Sequence, residues 1–205
     1  NYIDYNRFKS LWDAHRSKHP EKDVRTISSE IAWHAIRTYI KGMFYGEDEY
    51  VDPDYYEHEM NENSRSISVE NFEKIYKYVW EGWYEPLCKE KNYWDDQDMA
   101  RAVLQLSDED LAQHPAVFCD EAQDFTAVEL ELIERLSLYS QRTVESYQLI
   151  NIPFAFAGDP FQTLNPTGFQ WERVKAGFYE LIRQLDPSKK AKLDINFQEL
   201  SFNYR

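Results

Sequence analysis

A chain of 205 residues with 42% hydrophobic and 16% aromatic side chains can bury the core of one or two domains, which excludes an intrinsically disordered class. Its 37 acidic against 23 basic side chains give a formal charge of −14; that excludes a generic polyanion-binding surface, because nucleic-acid affinity comes largely from Lys and Arg on phosphates, but leaves room for a local basic groove or a stacking platform. Cys88 and Cys119 make no disulfide framework and fit a reducing, intracellular compartment (cytoplasm or nucleus), and no apolar run approaches the length of a membrane span.

Along the chain, residues 4–18 predict a helix with Phe8, Leu11 and Trp12 on one face, and the polar residues 18–25 break it. Thr26, Ser28 and Ser29 carry helix-start chemistry; Ile31, Ala35, Ile36 and Tyr39 then recur at helical spacing, and Gly42 is the stop. Residues 47–62 hold eight acids among tyrosines: Glu47, Asp48, Glu49, Asp52, Asp54, Glu57, Glu59 and Glu62. Two readings of this stretch stand side by side, a solvated loop or exposed helix and a docking patch for a basic protein partner. Ser68 caps a helix whose Phe72, Ile75, Tyr76, Val79 and Trp83 form a stripe of core type, and Pro86 kinks or ends it. Asp95 or Asp96 caps the next, with Met99, Ala100, Val103 and Leu104 apolar. Ser107-x-x-Asp110 opens a short one that His114-Pro115 stops. Residues 1–114 thus read as a helical subdomain.

The composition then changes. Residues 116–119 read as a buried strand, with Cys119 a small core residue, and residues 152–157 as a second that ends at Gly158-Asp159. Thr126-x-x-Glu129 is a capping-box pattern, and Val128, Leu132, Ile133 and Leu136 follow it at helical spacing. Residues 140–151 are a polar connection, 160–168 a loop, 169–185 a helix and 192–197 a third strand leading to Asn203-Tyr204-Arg205. Strand, helix, strand, helix, strand is the pattern of an α/β parallel sheet over residues 115–205.

Chemistry gathers at the expected strand ends, where ligands of open α/β sheets sit. After Val117-Phe118-Cys119 come Asp120 and Glu121. A carboxylate fixed on a strand end can hold Mg²⁺, and a second beside it can take a proton from a bound water. The bland alternative is an acidic first turn stabilised by a helix dipole. Gly158-Asp159-Pro160-Phe161-Gln162 puts an amide at the second tip, able to orient a phosphate or its attacking water. At the third, Arg205 could serve as a finger to a transferring phosphoryl group and Tyr204 could stack on a base.

With these residues in place, the sequence resembles the UvrD/Rep-like group of superfamily 1 helicases. Asp120-Glu121-Ala122-Gln123-Asp124 looks like the Walker B motif of that group, Gly158 through Leu164 like its motif III, and Leu200 through Arg205 like the start of motif IV. Ile36-x-x-Tyr39-Ile40-Lys41-Gly42 and the run Trp94 to Ala100 look like its helical insertion before Walker B. The resemblance implies a partial RecA-like sheet of P-loop NTPase type, with residues 115–205 belonging to the first motor domain. It implies ATP and Mg²⁺ as cofactors and single-stranded DNA as the partner of the parent protein. In those terms Asp120 binds the metal, Glu121 activates water, and Gln162 contacts the γ-phosphate and couples hydrolysis to DNA. Asp159, Tyr204 and Arg205 complete the nucleotide site, Tyr204 on the adenine and Arg205 on the γ-phosphate. Phe169 and Trp171 stand near the place where the group stacks single-stranded bases, although the spacing is stretched and Glu172 follows where an Arg is common; core packing on a helix face is the equal alternative. No G-x-x-x-x-G-K-[ST] occurs, so the phosphate cradle is missing. The expectation is therefore a piece, lying between the P-loop and motif IV of an ATP-dependent DNA helicase, that does not hydrolyse ATP by itself. The competing expectation is a helicase-derived, catalytically inactive protein-interaction module.

Overall fold

The computed structural model describes residues 1–43, 50–107, 110–111, 114–137, 154–159, 175 and 179. Most of its helices begin on local cap chemistry. Asp4 accepts the Arg7 N–H at 2.8 Å and opens α1 (Tyr5–Arg16), which buries Phe8 and Trp12. A short helix, α2 (Lys22–Thr26), occupies the stretch expected to be a polar break; Val24, fully buried, anchors it to the core, a long-range contact that outweighs the polar composition. Ser28 caps α3 (Ser29–His34), which continues as a π-helical segment, Ala35–Ile40, ending where the Lys41 N–H reaches Ile36 O at 2.9 Å. Ala35, Ile36 and Tyr39 are buried as the spacing predicts, whereas Ile31 is exposed and Ala32 takes the inward place in the first turn.

Within the acidic stretch, Asp52 accepts the Tyr55 N–H at 2.8 Å and caps α4 (Pro53–His58). Asp54, Glu57, Glu59 and Glu62 stay exposed while Val51, Tyr56 and Met60 are buried. This is an exposed acidic helix held down by one apolar face; Glu47, Asp48 and Glu49 lie outside the described residues. Ser68 caps α5 (Val69–Lys74), which passes through a π-helical segment, Ile75–Tyr84, into α6 (Glu85–Lys91). Pro86 therefore does not end this helix. It falls in the first turn after the bonding period shortens, where a missing N–H is tolerated. The chain leaves α6 at Asn92, in the left-handed conformation with φ 52°.

These helices enclose an aromatic core. Tyr56 and Phe72 stack with centroids 3.8 Å apart, and Phe8 meets Tyr84 edge-on at 5.3 Å. The buried hydroxyls find acceptors, Tyr56 on Ile67 O at 2.7 Å and Tyr84 on Asp95 Oδ2 at 3.0 Å. Lys41, 2% exposed, is a buried cation beside this cluster and lies 2.5 Å from Asp95 and 2.6 Å from Asp98. Burial alone would lower its pKa, but the two carboxylates outweigh burial and hold it above the usual lysine range.

Asp95 also caps α7 (Asp96–Leu104) in a reciprocal box with Asp98. Ala100 and Leu104 are buried against Val128 of α8 (Ala127–Arg135), with Leu132 beside them, whereas Met99 is exposed. The strands β1 (Val117–Cys119) and β2 (Phe154–Phe156) pair in parallel, Val117 opposite Phe154 and Cys119 opposite Phe156. They are not the buried strands expected. Phe118 is 76% exposed and Ala155 is exposed beside it, so one face of the pair meets solvent while the other is half-buried. Cys119 is correspondingly half-buried rather than core. The fold is helix-rich mixed α/β with a two-stranded parallel sheet. No described helix is long and apolar enough to cross a membrane. Of the expected helix 169–185 only Lys175 and Tyr179 are described, both helical; residues 140–151, 160–168 and the expected strand 192–197 lie outside the described residues.

Candidate functional site

The parallel ladder does not stop with the strands. The Ala157 N–H donates to Cys119 O and the Ala122 N–H to Ala157 O, each at 2.8 Å, so the chain leaving β1 is drawn across the end of β2. The turn that does this is made at Glu121, whose φ of 52° and ψ of 39° are left-handed. For a residue with a Cβ this conformation costs on the order of 1–3 kcal/mol and persists only where the surroundings impose it. It feeds a 3₁₀ turn, Ala122–Asp124, in which the Asp124 N–H reaches Glu121 O at 2.9 Å. Asp120 Oδ1 accepts the Glu121 N–H at 2.9 Å, and both acids are exposed. Burial and the neighbouring Asp120 charge raise the Cys119 thiol, keeping it protonated beside the acids.

Beneath the acids lies Gln123, 1% exposed. Its Nε2 donates to Glu121 Oε2 at 2.6 Å, and its Oε1 accepts the Asp159 N–H at 3.0 Å. Gly158 makes room for this amide: a Cβ there would collide with Gln123 Oε1 and stand 3.2 Å from Ala122 N. One oxygen of the next acid, Asp124 Oδ1, is buried without a hydrogen-bond partner among the described residues.

The turn is seated on the helical layer. Thr126 and Glu129 form the reciprocal box that opens α8. Glu129 is gripped by Arg37 at 3.0 Å and by Gln97 Nε2 at 2.7 Å, while the Thr126 hydroxyl donates to Gln97 Oε1 at 2.8 Å. The Val128 N–H donates to Gly42 O at 3.0 Å, and a Cβ on Gly42 would stand 2.9 Å from Thr126 Cβ. Gly42 therefore does more than stop a helix; it lets the helical layer approach the residue that caps α8.

Asp120, Glu121 and the Asp159 backbone thus come together at one end of the parallel pair. Gln162, Phe169, Trp171, Tyr204 and Arg205 lie outside the described residues. Reasoning from sequence passed over Gln123, whose one signal is an amide set inside an acidic run just before a capping box. It also missed Arg37 and Gln97, whose partners are 92 and 32 residues away and leave no local trace.

A divalent cation is compatible with the donors present. Among the described residues no three His, Cys, Asp or Glu side chains converge as a metal cage. Mg²⁺ needs none, since it is held by one or two carboxylates and keeps several waters. Asp120, exposed just after the end of β1, offers such a hard oxygen donor. Comparisons with protein-family models, with curated proteins and with solved structures found no match to this chain.

Proposed function

We propose that this chain is part of an ATP-dependent DNA helicase or translocase of the UvrD/Rep-like kind, contributing the acidic half of a RecA-like nucleotide site and the helical subdomain before it. The observation that carries the reading is the pair of parallel strand ends, one bearing Asp120-Glu121 and the other Gly158-Asp159, stitched together by Gln123. That arrangement suits phosphoryl-transfer chemistry, where positioning and charge stabilisation do most of the work. In this reading Asp120 holds Mg²⁺ through an exposed carboxylate oxygen, and Glu121, free to meet solvent, takes the proton of the attacking water. ATP with Mg²⁺ supplies the phosphoryl group. Gln162, Tyr204 and Arg205 are proposed to contact the nucleotide, and Phe169 and Trp171 to stack on single-stranded DNA. Without a P-loop, the chain alone does not turn over ATP.

The test is ATP affinity of the full-length protein with and without Mg²⁺. Asp120→Asn is expected to abolish the gain in affinity that Mg²⁺ confers while leaving the metal-free affinity in place. An unchanged Mg²⁺ dependence would remove Asp120 from the site. It would favour the second reading, an inactive interaction module whose exposed acidic face on α4, anchored by the buried Tyr56, meets a basic protein partner.

A further inference from the structure

We infer that Gln123 is a positioning residue that sets the Glu121 carboxylate and ties it to the loop after β2; this rests on the reading of Glu121 as the base. The orientation of the Gln123 amide is dictated by its partners. A carboxylate can only accept and a backbone N–H can only donate, so Nε2 must face Glu121 and Oε1 must face Asp159. With the residue 1% exposed, a turned-over amide would set oxygen against the carboxylate and NH2 against the N–H with little water to relieve the mismatch. Its bond to Glu121 closes a small ring on a residue whose backbone is already held in the left-handed region, so both the main chain and the side chain of the acid are fixed. Its bond to Asp159 spans 36 residues of sequence and joins the two strand-end loops directly. Gly158 belongs to the same device, because any side chain there would strike Gln123 Oε1. A displacement of the 158–159 loop therefore moves the Glu121 carboxylate through one amide group. The base is positioned only while that loop is in place, which gives the second strand end control over proton removal at the first. A buried glutamine is well suited to this task. It provides a donor and an acceptor at opposite sides of one rigid plane, and it adds no charge beside Asp120 and Glu121.

The test uses the full-length protein carrying Gln123→Ala, Gly158→Ala or both, with Gln123→Met as the variant that keeps shape but loses both bonds. Two quantities are read: amide hydrogen exchange at Asp159 without nucleotide, and ATP turnover. Each single variant is expected to speed exchange at Asp159 by about 10-fold or more as the amide loses its acceptor. Each is expected to lower kcat roughly 100-fold with KM for ATP unchanged, the cost of a misplaced base. The double variant is expected to be no worse than the poorer single, since both changes break one link. Additive losses in the double variant, parental kcat in Gln123→Met, or protection at Asp159 unchanged in all variants would overturn the inference. Glu121→Gln separates the two levels. If it abolishes turnover while Gln123→Met retains it, the base assignment stands and the positioning role falls. If Glu121→Gln turns over ATP at the parental rate, both fall.

Discussion

At the residue scale, the folded body depends on buried and half-buried polar groups, several of them bonded to partners distant in sequence. His34 is one. Its Nε2 lies 2.7 Å from the Ser66 hydroxyl and its Nδ1 3.1 Å from that of Thr38, and burial, with the nearby Arg37 charge, lowers its pKa to about 4. A pKa depressed in the folded state means that the unfolded chain binds a proton first on acidification. The contribution of neutral His34 is therefore complete above about pH 6.5 and is lost as pH falls from there toward 4. Urea unfolding across that window should show stability falling by on the order of 2–3 kcal/mol, a slope that His34→Gln should flatten. An identical slope in the variant would assign the effect to other groups. Gln123 makes the same point for the site. Its sequence neighbours mark it as part of an acidic run, but its role depends on Asp159, which no local pattern connects to it.

At the scale of elements, helix starts were legible because cap chemistry is local: Ser28, Ser68, Asp95 and Thr126 each accept the N–H bonds their residue types imply. The apolar stripe of Phe72, Ile75 and Val79 was legible for the same reason of short-range periodicity. Three features were not. Helix α2 forms in a polar stretch because Val24 reaches the core. The π-helical segments Ala35–Ile40 and Ile75–Tyr84 carry ordinary helical spacing, so nothing in the sequence distinguishes them from α-helix. Strand burial depends on what covers a sheet, and an apolar run such as Val117-Phe118-Cys119 cannot report that Phe118 faces solvent. The cap of α8 joins the helical layer to the acidic turn, so it tests how firmly the two are coupled. Thr126→Ala removes the cap and takes the Thr126 donor from the buried Gln97 Oε1, and should lower stability by about 1–2 kcal/mol in chemical denaturation. A loss below about 0.5 kcal/mol would mean that the bonds left in place, Arg37 and Gln97 to Glu129 and Val128 N–H to Gly42 O, hold the junction without the cap.

At the scale of the whole molecule, a chain of formal charge −14 sets the exposed acids Asp120 and Glu121 at the end of a strand pair that is tied to an aromatic helical body. The link from that body to the acids runs through Arg37, Gln97 and Gly42 to α8, and from α8 back to the turn at Glu121. In the full-length protein, Arg205→Ala should slow ATP hydrolysis by roughly 10³–10⁵ if the arginine stabilises the transferring phosphoryl group. A smaller loss, with weakened nucleotide affinity instead, would assign Arg205 to binding. We propose Asp120 and Glu121 as the hydrolytic half of a nucleotide site. The most direct measurement is ATP binding and single-turnover hydrolysis by full-length protein carrying Glu121→Gln, a change that keeps shape and hydrogen bonding but removes the base. Near-parental ATP affinity with hydrolysis slowed by about 10²–10⁴ is expected; a folded variant that hydrolyses ATP at the parental rate would rule out Glu121 as the base.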